Sequence, residues 1–425
     1  MSRPVAAVAP AVAPDALGEV NESCSGAPGA NVGQASAEGT HILLVNPPPA
    51  STEIKRSAFA LPAASLTFKD VAFSLPPSHR GAKPQSILEP CSGHFPAGQL
   101  VAVMGPSGCG KTTLLDILAA KKSGKYRGEI RVNGQPRDAF FRRIAAYVGQ
   151  EDMMPSHWTV REAVRFNATL KRQPMRSHEC MGDWIDVILE AFKIADVADE
   201  IIGGPEVKSI SGGQRRRVTL ARGVAAHASL LFCDEPTSGL SATDAELCIK
   251  ALRVVAKRLN VLVFVVIHQP RREVAEVFDT LVLLTSNPGR MAFCGPMAEA
   301  PAYFAECGHP APTHANPTDF FLDLLTPGTE QDATSALMEA FTAEQKPLLD
   351  ASVNMGLVGR GLTTEEMLRA VHKQVAVTSE QGAAPRVRLG PYAAPFHEQL
   401  RVLLRRKVLT TLRNPGAGAA QVFMP

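Results

Sequence analysis

Four stretches of this chain are apolar at nearly every position, and each one stops at a polar or glycine-rich turn. They are Leu100-Val101-Ala102-Val103-Met104, the run closing on Tyr147-Val148, Leu230-Leu231-Phe232-Cys233, and Val261 to Ile267. Runs this short and continuous predict strands buried on both faces, as in a mainly parallel sheet covered by helices. Folding is expected to begin at Leu66-Thr67-Phe68, and a further strand at Glu129-Ile130-Arg131-Val132 ends in an Asn133-Gly134 turn. Helices are predicted from Thr112 to Leu118, through Arg215, Val218 and Ala221, and near Thr364 to Val375. The first forty or so residues are rich in Ala, Pro, Gly and Ser with few large apolar groups, and the segment 1–60 is expected to be disordered. Acidic Asp15, Glu19 and Glu22 argue against an organelle transit peptide there.

The turn after Met104 reads Gly105-Pro106-Ser107-Gly108-Cys109-Gly110-Lys111-Thr112, with Thr113 following. A strand feeding a glycine-rich loop and then a helix is the context in which this spacing binds nucleotide phosphates. Glycines let backbone N–H groups turn toward the anion, and the helix N-terminus adds partial positive charge. Lys111 is placed to reach the terminal phosphates and Thr112 to offer its hydroxyl to Mg²⁺.

The run from Leu230 ends in Asp234-Glu235-Pro236. Side chains alternate along a strand, so the two acids can serve different tasks: Asp234 the metal shell, Glu235 a water. Gln150 and His268 likewise end apolar runs, where open parallel sheets present ligand contacts. Gln150 is a candidate for Mg²⁺ or the water, and His268 for the γ-phosphate. Between them lies Ser211-Gly212-Gly213-Gln214, with Ser211 suited to cap the helix that follows and to aim its dipole at an anion.

Phosphate loop, glutamine, Ser-Gly-Gly-Gln, Asp-Glu and histidine, in that order, resemble the nucleotide-binding domain of ATP-binding cassette (ABC) proteins. The resemblance implies an α/β fold: a P-loop NTPase (RecA-like) core with a mainly parallel sheet, an antiparallel β subdomain and a helical signature subdomain. It implies two copies sandwiching two ATP molecules. Lys111, Thr112, Gln150, Asp234, Glu235 and His268 would act on one ATP and its Mg²⁺. Ser211 and Gly213 would meet the γ-phosphate bound to the other copy, with Gly212 and Gln214 beside them.

Ile267-His268-Gln269-Pro270-Arg271, Phe293-Cys294-Gly295-Pro296 and Asn316-Pro317-Thr318-Asp319-Phe320-Phe321 resemble the G subfamily, the white-brown type half-transporters. That likeness implies an ATPase subunit driving export of a lipid, sterol or other hydrophobic compound, partnered by a second such domain, identical or different, and by a transmembrane domain. Two departures stand out. Ser241 follows Ser238-Gly239-Leu240 where the family usually has Asp, with Asp244 further along, and Leu75 holds the place of an adenine-stacking aromatic.

The expected organisation is a nucleotide-binding domain at 61–328, a linker at 329–394 and a connecting helix at 395–425. The last puts Leu400, Leu403, Leu404, Val408 and Leu412 on one stripe beside Arg401, Arg405 and Arg406, a pattern that suits a lipid surface. No run of eighteen apolar residues occurs, so the membrane domain is expected to be missing. The expected location is the cytosolic face of a membrane, or the cytosol if the chain is complete at residue 425. A soluble ABC ATPase with a regulatory or mechanical role is the alternative. Translation-type members carry two cassettes where one is visible here, chromosome-type members insert a long coiled coil, and a P-loop kinase has no use for Ser-Gly-Gly-Gln. A net charge of +3 gives no ground for a nucleic-acid partner, and 8 cysteines without C-x-x-C spacing point to reduced thiols.

Overall fold

The computed structural model describes residues 62–413 apart from 78, 80–82, 122–124, 152–153, 172–177, 204–208, 287, 378–388 and 391. The segment 1–60, expected to be disordered, lies outside the described residues, as does everything after Arg413.

The four apolar runs are strands of one six-stranded sheet: β3 (Leu100–Met104), β6 (Ala145–Val148), β7 (Leu230–Asp234) and β8 (Leu262–Val266), joined by β9 (Thr280–Leu284) and β10 (Met291–Pro296). The order is β10-β9-β3-β8-β7-β6, with β10 alone antiparallel. Every residue of β3, β7 and β8 is buried, because helices or a second sheet cover both faces. Alternation divides them between two cores. Leu100, Ala102, Leu231, Cys233, Val263 and Val265 face one, and Val101, Val103, Phe232, Phe264 and Val266 face the other.

The second core lies against α1 (Lys111–Leu118), α2 (Phe141–Ile144) and a four-stranded antiparallel sheet of β1 (Leu66–Leu75), β2 (Gln85–Phe95), β4 (Arg127–Val132) and β5 (Gln135–Pro136), ordered β2-β1-β4-β5. Phenylalanines bridge the two sheets: Phe68 on Phe95 at 5.9 Å, Phe95 on Phe264 at 5.1 Å, Phe264 on Phe232 at 5.5 Å between ring centres. The first core takes α3 (Val160–Leu170), α4 (His178–Ala191), α5 (Gly212–Ala225) and α6 (Ala242–Leu259). After α7 (Arg272–Ala275) come α8 (Ala300–Glu306) and α9 (Pro317–Leu324).

The stretch read as a loose linker is largely built. It holds α10 (Thr334–Ala340), a wider π turn at Phe341–Gln345, α11 (Lys346–Val358) and α12 (Thr364–Val377). Leu337 joins the first core, Phe341, Met367 and Leu368 join the second, and Val353 is buried. Only the last of these helices showed in the sequence, because the others bury few residues each and carry no clean apolar stripe. The final helix, α13 (Phe396–Arg413), buries no residue and stands on α3 through Arg413, whose guanidinium grips both carboxylate oxygens of Glu162 at 2.6 and 3.0 Å.

His227, just past the end of α5, is 5% exposed and stacks on Trp184 at 4.3 Å. Burial lowers its pKa from 6.5 to about 4, so the folded chain holds it neutral. Between those values the unfolded chain binds a proton that the folded chain refuses, and stability falls as pH falls. The slope from this group is at most about 1.4 kcal/mol per pH unit. Asn tolerates the left-handed backbone at this position, φ 52°. Thermal melts of the parent and His227→Asn from pH 7 to 5 are expected to converge, the parent losing more. Parallel profiles would remove His227 as the acid-sensitive group.

Candidate functional site

The sheet order sets the site. β3, β8, β7 and β6 are parallel neighbours, so the residues that follow their C-terminal ends share one edge. These are the loop Gly105–Gly110, then His268, then Asp234-Glu235, then Gln150. Sequence positions far apart are brought together because each strand ends at the same level.

In the loop, Gly105 adopts φ 153°, and a Cβ there would lie 2.4 Å from Leu284 O, so the tight turn against β9 demands glycine. Lys111 Nζ donates to Gly105 O at 2.8 Å and Pro106 O at 2.9 Å, and lies 3.8 Å from Cys109 Sγ. Cys109 is fully buried, and burial pushes its thiol pKa up despite the nearby ammonium. Its side chain packs in the core, which leaves its backbone N–H as the group it can offer a phosphate. Ser107 and Gly108 are exposed, Pro106, Gly110 and Thr113 partly so.

Thr112 and Asp234, the residues proposed for a metal, lie together: Thr112 Oγ1 donates to Asp234 Oδ1 at 3.0 Å. Two hard oxygen donors at the foot of a phosphate loop fit Mg²⁺ together with phosphate oxygens and water. The other carboxylate oxygen, Oδ2, accepts from Tyr147 Oη at 3.1 Å. The sequence reading passed over Tyr147. Its signal was a phenol in an otherwise apolar strand, where a hydroxyl needs a partner. Burial first, then Asp234 and Asp116, raise its pKa, so it stays a donor, and Lys121 Nζ sits 3.8 Å from its ring centre.

Glu235 sits at φ 46°, a left-handed conformation costly for a non-glycine. Its carboxylate is flanked on both sides: His268 Nε2 lies 2.7 Å from Oε1, and Gln150 Nε2 donates to Oε2 at 3.0 Å. A carboxylate so oriented can hold and deprotonate a water. Gln150, expected also as a metal ligand, is on Glu235 in this arrangement and not on Asp234.

Ser211 caps α5. Its Oγ accepts from Gln214 N at 3.1 Å, and Gln214 Oε1 accepts from Ser211 N at 2.9 Å. That reciprocal box occupies the side chain of Gln214, a residue expected beside Ser211 at the nucleotide. Ser211 and Gly212 are exposed, whereas Gly213 is buried: a Cβ there would lie 2.1 Å from the Asp244 carboxylate. Asp244 in turn accepts from Arg217 at 2.8 Å and from Ser241 Oγ at 2.8 Å, and these hydrogen bonds, Ser241's first, lower its pKa. So Ser241, the departure from the family pattern, caps α6 and anchors Asp244.

The three arginines after Gln214 were also missed. Arg215 donates to Gly203 O and Ile202 O, both at 3.0 Å. Arg216, 2% exposed, donates to Gly149 O and Gln150 O at 3.0 Å, Pro236 O at 2.9 Å and Glu235 O at 3.1 Å. The available signal was electrostatic: cations in a helix's first turns oppose its dipole, so their presence implies partners elsewhere. Two of the three segments that carry the G-type resemblance also meet, since Pro270 O accepts from Asn316 Nδ2 at 2.8 Å and Thr318 Oγ1 at 3.1 Å. Leu75 is 41% exposed, and with Phe73 and Tyr126 it lines a cavity of about 800 Å³.

Residues 88–238 match the family model described as ABC transporter. A second model, described as ABC-2 type transporter, matches residues 268–374, so the expectation that the membrane domain is missing is not supported. Those residues run from the turn after β8 through β9 and β10 to α12, and no helix among the described residues is long and apolar enough to cross a membrane. The chain is 33% identical over 350 residues to the broad substrate specificity ATP-binding cassette transporter ABCG2 of Rattus norvegicus, covering 80% of this chain and 52% of that protein. It is 33% identical over 375 residues to ABC transporter G family member 22 of Dictyostelium discoideum, covering 87% and 57%. With ABC transporter G family member 7 of Arabidopsis thaliana it shares 36% identity over 279 residues, covering 63% and 38%. The chain thus spans about half the length of the first two relatives.

Tyr147→Phe keeps the ring and removes one donor to Asp234. The Mg²⁺ concentration needed for half-maximal ATP hydrolysis is expected to rise roughly tenfold, the scale of a lost outer-shell partner, with the melting temperature little changed. An unaltered Mg²⁺ titration would leave the phenol a packing group only.

Proposed function

From the premise that this chain carries an ATPase domain of the ABC fold, with relatives among the G-family transporters, we propose that it is the ATP-binding and ATP-hydrolysing part of a transmembrane exporter and works by closing in pairs. One observation carries the reading: Lys111, Thr112, Asp234, Glu235, His268 and Gln150 gather on one sheet edge, while Ser211 is exposed and hydrogen-bonded within its own helix start. A second copy is the natural source of the anion that Ser211 awaits.

In this reading the backbone N–H groups from Gly105 to Thr113 surround the phosphates, and Lys111 exchanges the carbonyls of Gly105 and Pro106 for phosphate oxygens. Thr112 and Asp234 would hold Mg²⁺, which when bound would supply charge neutralisation at the phosphates. Glu235, aimed by His268 and Gln150, orients the attacking water and takes its proton. Ser211 and the amides at Gly212 and Gly213 reach the γ-phosphate on the other copy, identical or different, with Gln214 supporting the cap. The cargo class proposed, on the resemblance of the sequence segments to G-type half-transporters, is a lipid, sterol or other hydrophobic compound.

Glu235→Gln keeps the side-chain shape and removes the base. ATP binding is expected to persist while hydrolysis falls by roughly 10² or more, with ATP-bound dimers accumulating on size exclusion. A variant hydrolysing at the parent rate would remove Glu235 from the chemistry.

We also place α13 against a lipid surface on the cytosolic side. Phe396, Leu400, Leu403, Leu404, Val408 and Leu412 are all exposed, and Arg401, Arg405 and Arg406 flank them. Each cation near an anionic bilayer contributes on the order of 1 kcal/mol. The intact chain is expected to float with anionic liposomes at low salt, less at high salt, and not after deletion of 396–425. Equal flotation of both forms would reassign the stripe to protein packing.

A further inference from the structure

We infer that Arg216 is a positioning residue that joins the start of α5 to the loops carrying Gln150 and Glu235, so that contact made at Ser211 bears on the carboxylate of the same chain. This rests on the proposed pairing, in which Ser211 meets nucleotide bound to the second copy and Glu235 serves the nucleotide on its own phosphate loop.

The geometry is specific to a guanidinium. Its planar fork reaches two separate loops at once: Nη1 bonds Gly149 O and Gln150 O, while Nε and Nη2 bond Pro236 O and Glu235 O. A lysine ammonium is a single point on a flexible stem and cannot span both. Glu235 needs this support, because its left-handed backbone would relax if its carbonyl were released. Ser211 and Arg216 stand on one helix, less than two turns apart, and an α-helix moves as a rod over that length. Displacing the cap therefore displaces the fork, and with it the frame that holds the Gln150 and Glu235 side chains together.

Arg217 makes a parallel link. It bonds Asp244, which Ser241 holds at the end of the turn that follows Pro236, and buried Gly213 leaves no room for Asp244 to move toward the cap. The two arginines thus tie one helix start to both sides of the Asp234-Glu235 turn.

The test uses the full chain with Arg216→Lys and Arg216→Met, following ATP hydrolysis against ATP concentration, binding of a fluorescent ATP analogue and thermal stability. For Arg216→Lys we expect maximal rate to fall roughly tenfold or more, as for a slightly misplaced reacting group, nucleotide binding to stay near the parent value, and cooperativity in ATP to be lost. If the rate falls only in step with the melting temperature while cooperativity is kept, Arg216 is an ordinary structural residue and the inference fails. Should Arg216→Met not fold, the lysine variant decides. Ser211→Arg separates the two readings. If it is inactive and Arg216→Lys keeps rate and cooperativity, only the inference falls. If Ser211→Arg hydrolyses ATP like the parent, the pairing itself is wrong and the inference falls with it.

Discussion

One buried guanidinium, that of Arg216, bonds both loops that follow β6 and β7. Arg216 is almost wholly out of water, and burying a cation costs several kcal/mol unless its donors are met. They are met by main-chain carbonyls at the ends of two neighbouring strands, β6 and β7. Carbonyl dipoles cannot move away as a mobile counter-ion can, so the strand ends are fixed relative to each other and to α5. The strained backbone at Glu235 is tolerated inside this frame, as is the close pairing of its carboxylate with His268 and Gln150.

Around that frame the parallel sheet supplies reach. Because β3, β8, β7 and β6 are adjacent and buried on both faces, chain segments that are remote in sequence end side by side. Asp234 is the clearest beneficiary: Thr112 from α1 takes one oxygen and Tyr147 from β6 the other, which leaves its carboxylate a single orientation. A site assembled from strand ends in this way takes its geometry from the buried sheet beneath it.

The appended helices extend the body rather than merely linking it. α11 lies so close on β1 and β2 that a side chain at Gly356 would strike His94 and Thr67. α13 is the opposite case, buried nowhere and fastened to α3 through the Arg413–Glu162 pair. That pair is partly exposed and worth little by itself. The helix is held on α3 by Arg413 and by Arg406 over the Phe166 ring, 5.5 Å from its centre, and carries a stripe of exposed leucines along its length.

Much of this was legible in the residues themselves. Continuous apolar runs gave the buried strands, and spacing gave the phosphate loop, the Asp234-Glu235 end and the Ser211 cap, because each depends on local chain geometry that neighbouring residues dictate. The helices from Thr334 to Val358 were not legible, since each buries only one or two residues, α10 in the first core and α11 against the antiparallel sheet. Nor were Tyr147, Arg216 and the Arg217–Asp244–Ser241 chain, although their residue types carried a faint electrostatic or polar anomaly. What the sequence by itself determined was which elements form and which side chains they offer at their ends. Which of those side chains share a hydrogen bond was decided by tertiary structure alone, because strand order and helix docking bring together groups whose separation along the chain says nothing about their distance in space.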